Sequence, residues 1–325
     1  MPVTSVMFPV QAQNIGSTVP FARLLQQRGE GRMWMGQSLS LESHHVFAAL
    51  AGMGLRIPFG TSVVLSPLRH PYQAAVSARS VAALSGHSYV AGIGPGSSEF
   101  QATVSPATKA KPVSAVREYA HTMRALLDGE GPHTTSGTFD TVGAGLMPFA
   151  HPEVEVGLGV LRPAMARAAG RAADVAITWL APPSYLRDVL MPEMTVSAQT
   201  ADRTPPRVAS VVHAAVDRPG RDLVQAALTA VGPHLASTHY TDMLRQGGIA
   251  AHPAEPQLGA EQLVKSGVFA SGTPAEIAAQ ITEYHRIGVS EVMVNVCGVY
   301  LTEGAGAALR DLSAILNAVD EAAHV

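Results

Sequence analysis

Two glycine-rich segments hold the residue types best able to bind a ligand. In Gly92-Ile93-Gly94-Pro95-Gly96-Ser97-Ser98 the missing side chains let backbone N–H groups come close to a planar or anionic group. Gly157-Leu158-Gly159-Val160-Leu161-Arg162-Pro163 repeats the device and adds Arg162 at the start of a helical pattern, whose free N–H groups favour a phosphate. Either segment alone also reads as a tight turn between a strand and a helix, where glycine is common. Two of them at the same end of one sheet point to a ligand site. Other chemistries lack their residues. The first segment is not a Rossmann fingerprint, because the last glycine of G-x-G-x-x-G is missing and Pro95 disturbs the helix entry. The chain has no P-loop, no G-x-S-x-G elbow and no H-E-x-x-H, and the adjacent His44-His45 cannot share a helix face. Metal-dependent and hydrolytic chemistry are therefore not expected.

Composition narrows the setting. The 22 Lys and Arg nearly balance 25 Asp and Glu, a net charge of -3, which provides no footprint for nucleic acid or anionic lipid. Cys297 is the sole cysteine, so a disulfide framework, a Cys-based zinc site and a redox pair are all excluded. With no secretory pattern at the start and no long apolar run, the expectation is a cytoplasmic protein without a membrane span. Apolar residues make up 47% of the 325 positions, enough for a large core.

The elements that must position the two segments alternate in type. Strand patterns fall at 5–9, 32–35, 57–65, 88–93, 154–159, 174–179, 207–216 and 291–296. Helical patterns lie between them at 41–53, 71–84, 113–128, 162–172, 183–191, 219–231 and 274–287, the last opened by Thr273-Pro274 with Glu276. Strands joined by helices run parallel. Eight such units predict a single-domain α/β chain folded as a (β/α)8 TIM barrel with insertion loops, a doubly wound open sheet being the second choice. The stretches 129–152 and 234–272 are expected to be long loops over the site.

Several motifs in order resemble the luciferase-like monooxygenase superfamily, in particular its branch of oxidoreductases that use the deazaflavin F420. They are Met33-Trp34-Met35-Gly36-Gln37, then Gly60-Thr61-Ser62-Val63-Val64 with Arg69-His70-Pro71, and Leu84-Ser85-Gly86-His87 leading into the glycines at 92–96. Leu126-Leu127-Asp128-Gly129-Glu130, Arg162-Pro163-Ala164-Met165 through Asp174, and Ser271-Gly272-Thr273-Pro274 continue the series. The resemblance implies a luciferase-like barrel, a dimer or higher oligomer, and hydride transfer involving the cofactor's central ring. It places Trp34, Gly36 and Gln37 beside that ring and the substrate, though Trp34 equally suits a core position. It implies a non-proline cis peptide at Ser62-Val63, with the deazaflavin against it. Gly94, Pro95, Gly96 and Ser97 would border the ribityl chain, and Gly157, Leu158, Gly159, Val160 and Arg162 the phosphate. Glu99 matches a proton-donating carboxylate of some relatives and otherwise reads as a solvated loop residue; His70 is a further candidate acid or a turn-stabilising histidine.

One departure sets the expected direction. Relatives that oxidise alcohols or sugar phosphates carry an acidic residue and a histidine after the second strand, where this chain has Gly36-Gln37-Ser38. An amide is no general base, so reduction of an activated double bond is expected instead, with Gln37 at the activating carbonyl. Enones, imines and dehydroamino acids, including dehydroalanine in a modified peptide, fit that chemistry. The alternatives are an FMN-dependent monooxygenase and a non-catalytic flavin-binding protein.

Overall fold

In a computed structural model, residues 2–104, 111–134 and 139–323 are described. Part of the expected 129–152 loop, residues 135–138, lies outside them. Besides the two-residue strand Val64–Leu65, nine parallel strands organise the described residues: β1 (Val3–Met7), β2 (Met33–Met35), β3 (Phe59–Thr61), β4 (Tyr89–Gly94), β5 (Val154–Gly159), β6 (Val175–Trp179), β7 (Arg207–Val216), β8 (Phe269–Gly272) and β9 (Glu291–Asn295). Strands β1 to β7 pair in order, β7 pairs with β9, and β9 returns to β1, which closes an eight-stranded (β/α)8 barrel. Its eight members are the eight strands expected from the sequence. The extra strand, β8, pairs only with the second half of β7, from His213 to Val216, continuing the edge where β9 stops.

Two expectations need correction. The 57–65 pattern is not one strand: β3 ends at Thr61, the Ser62–Val63 peptide bond is cis, and Val64–Leu65 pairs separately with Ile93 and Gly94 of β4. The 234–272 stretch is not a loop either, since it forms the helices Thr238–Gln246 and Pro256–Ser266 and then β8. The helix Pro274–Arg286 starts as its sequence signals, with Thr273 and Glu276 capping each other's backbone N–H groups.

Side chains alternate across each strand, so every second residue enters the barrel. The inward sets read Arg32, Trp34 and Gly36 through β2; Val175, Ile177 and Trp179 on β6; Ala209, Val211 and His213 on β7; and Glu291, Met293 and Asn295 on β9. They stack as layers. At the base, Glu291 accepts from the Ser5 hydroxyl (2.6 Å), from Nε1 of Trp34 (2.7 Å) and from Arg207 (2.9 Å), with the Arg32 guanidinium at 3.7 Å. Arg207 also forks onto Glu155, and Arg32 donates to the carbonyls of Phe59 and Ser88. Burial pushes the Arg32 guanidinium below its usual range, opposed by Glu291.

Above this polar base sits a small apolar cluster of Met7, Trp34, Val90, Val175, Ile177, Ala209, Val211 and Met293. Trp34 and Ile177 fit because the facing positions lack side chains. A Cβ on Gly60 would come within 2.7 Å of the Trp34 ring, and one on Gly92 within 1.8 Å of the Thr61 carbonyl and 2.4 Å of Ile177. A second, larger core fills the layer between barrel and helices. No helix among the described residues is long and apolar enough to cross a membrane.

Removing one partner from a buried ion network leaves the remaining charge stranded. A Glu291→Gln variant should therefore lose about 3–5 kcal/mol of stability in urea unfolding. A loss below about 1 kcal/mol would show that the base network is not what holds the strands.

Candidate active site

The third inward layer forms the floor of a cleft at the C-terminal ends of the strands, the end at which barrel enzymes place their chemistry. The cleft has two lobes. The larger encloses about 620 Å³ and is bordered by Ser62, Val63, Gly94–Ser97, Gly159–Arg162, Ile177–Trp179 and the 234–240 segment. The smaller, about 220 Å³, lies over β1, β2 and β9, with Gly36, Gln37, His213, Asn295 and Cys297 in its wall. Trp179 and His234 line both.

Val63 lines the larger lobe beside two of its glycines. A Cβ on Gly94 would lie 2.6 Å from its Cγ2, and one on Gly159 would lie 3.4 Å from its Cγ1. The first glycine is thus required by Val63, whereas the second leaves room for a side chain. Gln37 fixes the segment: its backbone N–H donates to the Val63 carbonyl (2.9 Å), and its side-chain oxygen accepts from the Leu65 N–H (3.1 Å). The same amide donates to the Ser38 carbonyl at 2.8 Å. Pro95 and Gly96 turn the chain, Gly96 in the left-handed region at φ +75°, and Gln101 donates to the Gly96 carbonyl.

At the far end of the lobe, Arg162 occupies the N-cap of the helix Pro163–Ala172, which no side chain caps. Its guanidinium bonds Asp242 at 2.5 Å, while its Nε is buried without a partner. The positive end of a helix beside a guanidinium suits a phosphate.

The structure separates the sequence candidates. Gly36, Gln37, Ser62, Val63, Gly94, Pro95, Gly96, Ser97, Gly159, Val160 and Arg162 all border the cleft. Trp34 does not: it is fully buried one layer below Gly36, bonded to Glu291. Gly157 faces the barrel interior, where a Cβ would meet Ile177 at 2.8 Å, and Leu158 points outward into the helix-side core. His70 is exposed and caps the helix Pro71–Ser85, its Nδ1 accepting from the Tyr72 N–H. Glu99 is exposed on the helix Ser98–Val104 and borders neither lobe. The pair His44-His45 begins another helix: Glu42 caps it and binds His44 and Arg69, tying together the loops after β2 and β3.

The residues missed by the sequence reading are Trp179, His213 and His234. Trp179 meets His213 edge-on at 5.1 Å between ring centroids and His234 at 5.5 Å. Burial pushes His213 down to about 3, helped by His234, and His234 down to about 4. Both are therefore neutral imidazoles at neutral pH. Counting inward positions along β6 and β7 from the base would have reached Trp179 and His213, but barrel closure has to be known first.

Residues 2–291 match the family model for luciferase-like monooxygenases, and the chain belongs to that family. It is 24% identical over 298 residues to a 5,10-methylenetetrahydromethanopterin reductase of Methanolobus tindarius, covering 84% of this chain and 88% of the relative. Among solved structures, an F420-dependent secondary alcohol dehydrogenase in complex with an F420-acetone adduct superposes with a TM-score of 0.74 at 18% identity, covering 98% of this chain and 99% of the other. The FMN complex of the oxygenating constituent of 3,6-diketocamphane monooxygenase from Pseudomonas putida gives 0.68 at 16% identity, covering 98% of each chain.

Both depressed histidines shape the acid response. Below about pH 6.5 the unfolded chain takes up protons that the folded chain refuses until about pH 4, so stability falls with pH across that window. The slope should be about 1 kcal/mol per pH unit for each histidine. In urea unfolding at pH 6.5 and 4.5, His213→Leu should lose less stability than the parent protein; equal losses would contradict the assignment.

Proposed function

We propose that this protein is an oxidoreductase that holds the deazaflavin F420 in the larger lobe and reduces an activated double bond of a substrate in the smaller one. The observation that carries the reading is the Val63 platform between Gly94 and Gly159, with Arg162 and an uncapped helix start at the far end of the same lobe. The residues fit the cofactor. An apolar platform and bare backbone suit a planar ring system, and the orphaned Arg162 Nε suits an anion. The F420-dependent secondary alcohol dehydrogenase of similar fold supports the choice of cofactor class by its name.

Bound F420 supplies a ring carbon that gives or accepts hydride. The protein does the rest. Val63 and Ile177 would pack on the ring, Gly94 to Ser97 would border the chain that leaves it, and Arg162 would meet the phosphate. Trp179 and the helix-borne His234 and Tyr240 line the lobe and would shield the transfer from water.

Direction follows from the groups that border the smaller lobe, where the substrate is placed. Gln37 has its amide oxygen committed to Leu65, and the neutral His213 and His234 are far weaker bases than alcohol oxidation needs at neutral pH. Glu42 and His44, the acidic residue and histidine that do follow β2, are fastened to Arg69 and border neither lobe.

Two measurements test this reading. Fluorescence titration should show F420 binding, weakened tenfold or more in Gly159→Leu, or about 1.4 kcal/mol, with the thermal unfolding midpoint retained. The retained fold is expected because a Cβ there makes only ordinary contact, while the rest of the side chain enters the lobe. FMN binding with no F420 binding would instead favour a monooxygenase. In turnover, reduced F420 should be consumed with an enone or imine; comparable bleaching of oxidised F420 by simple alcohols or sugar phosphates would overturn the reductase direction.

A further inference from the structure

The smaller lobe carries an unusual imbalance of hydrogen-bonding groups. Among the described residues, eleven buried side-chain nitrogen and oxygen atoms have no partner, and four of them belong to one contact cluster: Nε1 of Trp179, both ring nitrogens of His213 and Nδ1 of His234. His213 is 1% exposed, so solvent does not serve it. An unmet buried polar group costs about 1–3 kcal/mol, and such groups in a native protein call for an explanation. The three side-chain amide acceptors in the same wall are already engaged. The Asn295 oxygen accepts from the Cys297 N–H (2.9 Å), that of Gln37 from Leu65, and that of Gln11 from the Leu39 N–H (2.9 Å). Among the described residues, no carboxylate, lysine or arginine borders the lobe.

Donors outnumber acceptors in this set. A neutral imidazole has one N–H and one accepting nitrogen and an indole has one N–H, so Trp179, His213 and His234 can offer up to three donors, while one His213 nitrogen remains an acceptor. The ligand that complements them is an oxygen with partial or full negative charge, and charge on a ligand oxygen is worth most to donors in such a dry setting. Size sets a further limit. A volume of 220 Å³ equals the share of about seven waters in the liquid, which admits one small ring or a short chain.

We propose that the smaller lobe is a substrate site for a small carbonyl compound, whose oxygen is received by the N–H groups of Trp179, His213 and His234. The proposal rests on the reading of the larger lobe as the hydride carrier's site and refines it: the substrate is a small enone, not a residue of a modified peptide. When such a compound is reduced, its β-carbon gains a hydride from a reduced deazaflavin and the displaced electron pair leaves the oxygen anionic. A proton from water then bonds the α-carbon and the carbonyl re-forms. The three donors face that oxygen throughout, and they hold it more strongly once it carries the charge.

The probe is p-nitrophenol, a single-ring compound whose phenolate has its own visible absorption band. Titrated into the cofactor-free protein, it should bind as the phenolate, with the band surviving to a lower pH than in water. Trp179→Phe, which keeps the ring and deletes the N–H, should weaken binding roughly five- to tenfold, the size of one lost hydrogen bond. His213→Leu should weaken it at least as much, and His213→Gln, which restores an N–H donor, should recover part of the loss. Thermal unfolding of each variant separates lost donors from a lost fold, and Trp179→Phe alone suffices if the histidine variants do not fold. No binding, or equal affinity and an unmoved band in wild type and Trp179→Phe, would overturn the proposal. Since the probe is read without cofactor, either outcome is independent of the F420 titration.

Discussion

A closed ring of eight parallel strands has an interior only as wide as the side chains that fill it, and here the filling is anchored by one buried carboxylate. Glu291 gathers Ser5 of β1, Trp34 of β2 and Arg207 of β7 onto itself, with Arg32 close by. These contacts join strands that are far apart in sequence and fix which residue of each strand lies at the base. Because side chains alternate with a period of two, fixing the base also fixes every layer above it. Met293 and Asn295 follow Glu291, Gly36 follows Trp34, and Val211 and His213 lie farther up β7. The contents of the cleft are thus a consequence of the base network.

The middle layer decides how deep the cleft reaches. Trp34 and Ile177 fill the barrel because Gly60, Gly92 and Gly157 face them, and no Cβ can be added at Gly92 without striking the Thr61 carbonyl. The interior is consequently closed below Val63, and any ligand must rest on that residue and on the Trp179 and His213 rings. The two lobes then differ in character. The larger offers an apolar floor, bare backbone and a cationic end, while the smaller offers ring nitrogens of Trp179, His213 and His234 that have no partner. A planar cofactor and a small polar-ended partner, meeting at Trp179 and His234, would satisfy both.

The sequence was most readable where composition dictates conformation. Apolar runs such as Val154–Gly159 and Val175–Trp179 bury both faces and identify themselves as strands. Gly94 and Gly96 mark the cleft because only glycine permits the backbone to pass so near Val63 or to turn at φ +75°. The polar helix Thr238–Gln246 and the four-residue β8, which contains a glycine, have no comparable signature and were hidden in an apparent loop. Trp34 was set at the mouth because its depth along β2 depends on contacts with Glu291 that are 257 residues away in sequence. The Trp179, His213 and His234 cluster was hidden for the same reason, since its three members meet only when β6, β7 and the following helix are brought together.

The central claim is that the larger lobe is built around Val63 to receive a deazaflavin. A crystal structure of the protein soaked with F420 tests it most directly. The account predicts density for the ring system against Val63 and Ile177, with the phosphate between Arg162 and the start of the helix Pro163–Ala172. F420 density elsewhere on the molecule, or a ring in the smaller lobe with the larger lobe left to solvent, would contradict it.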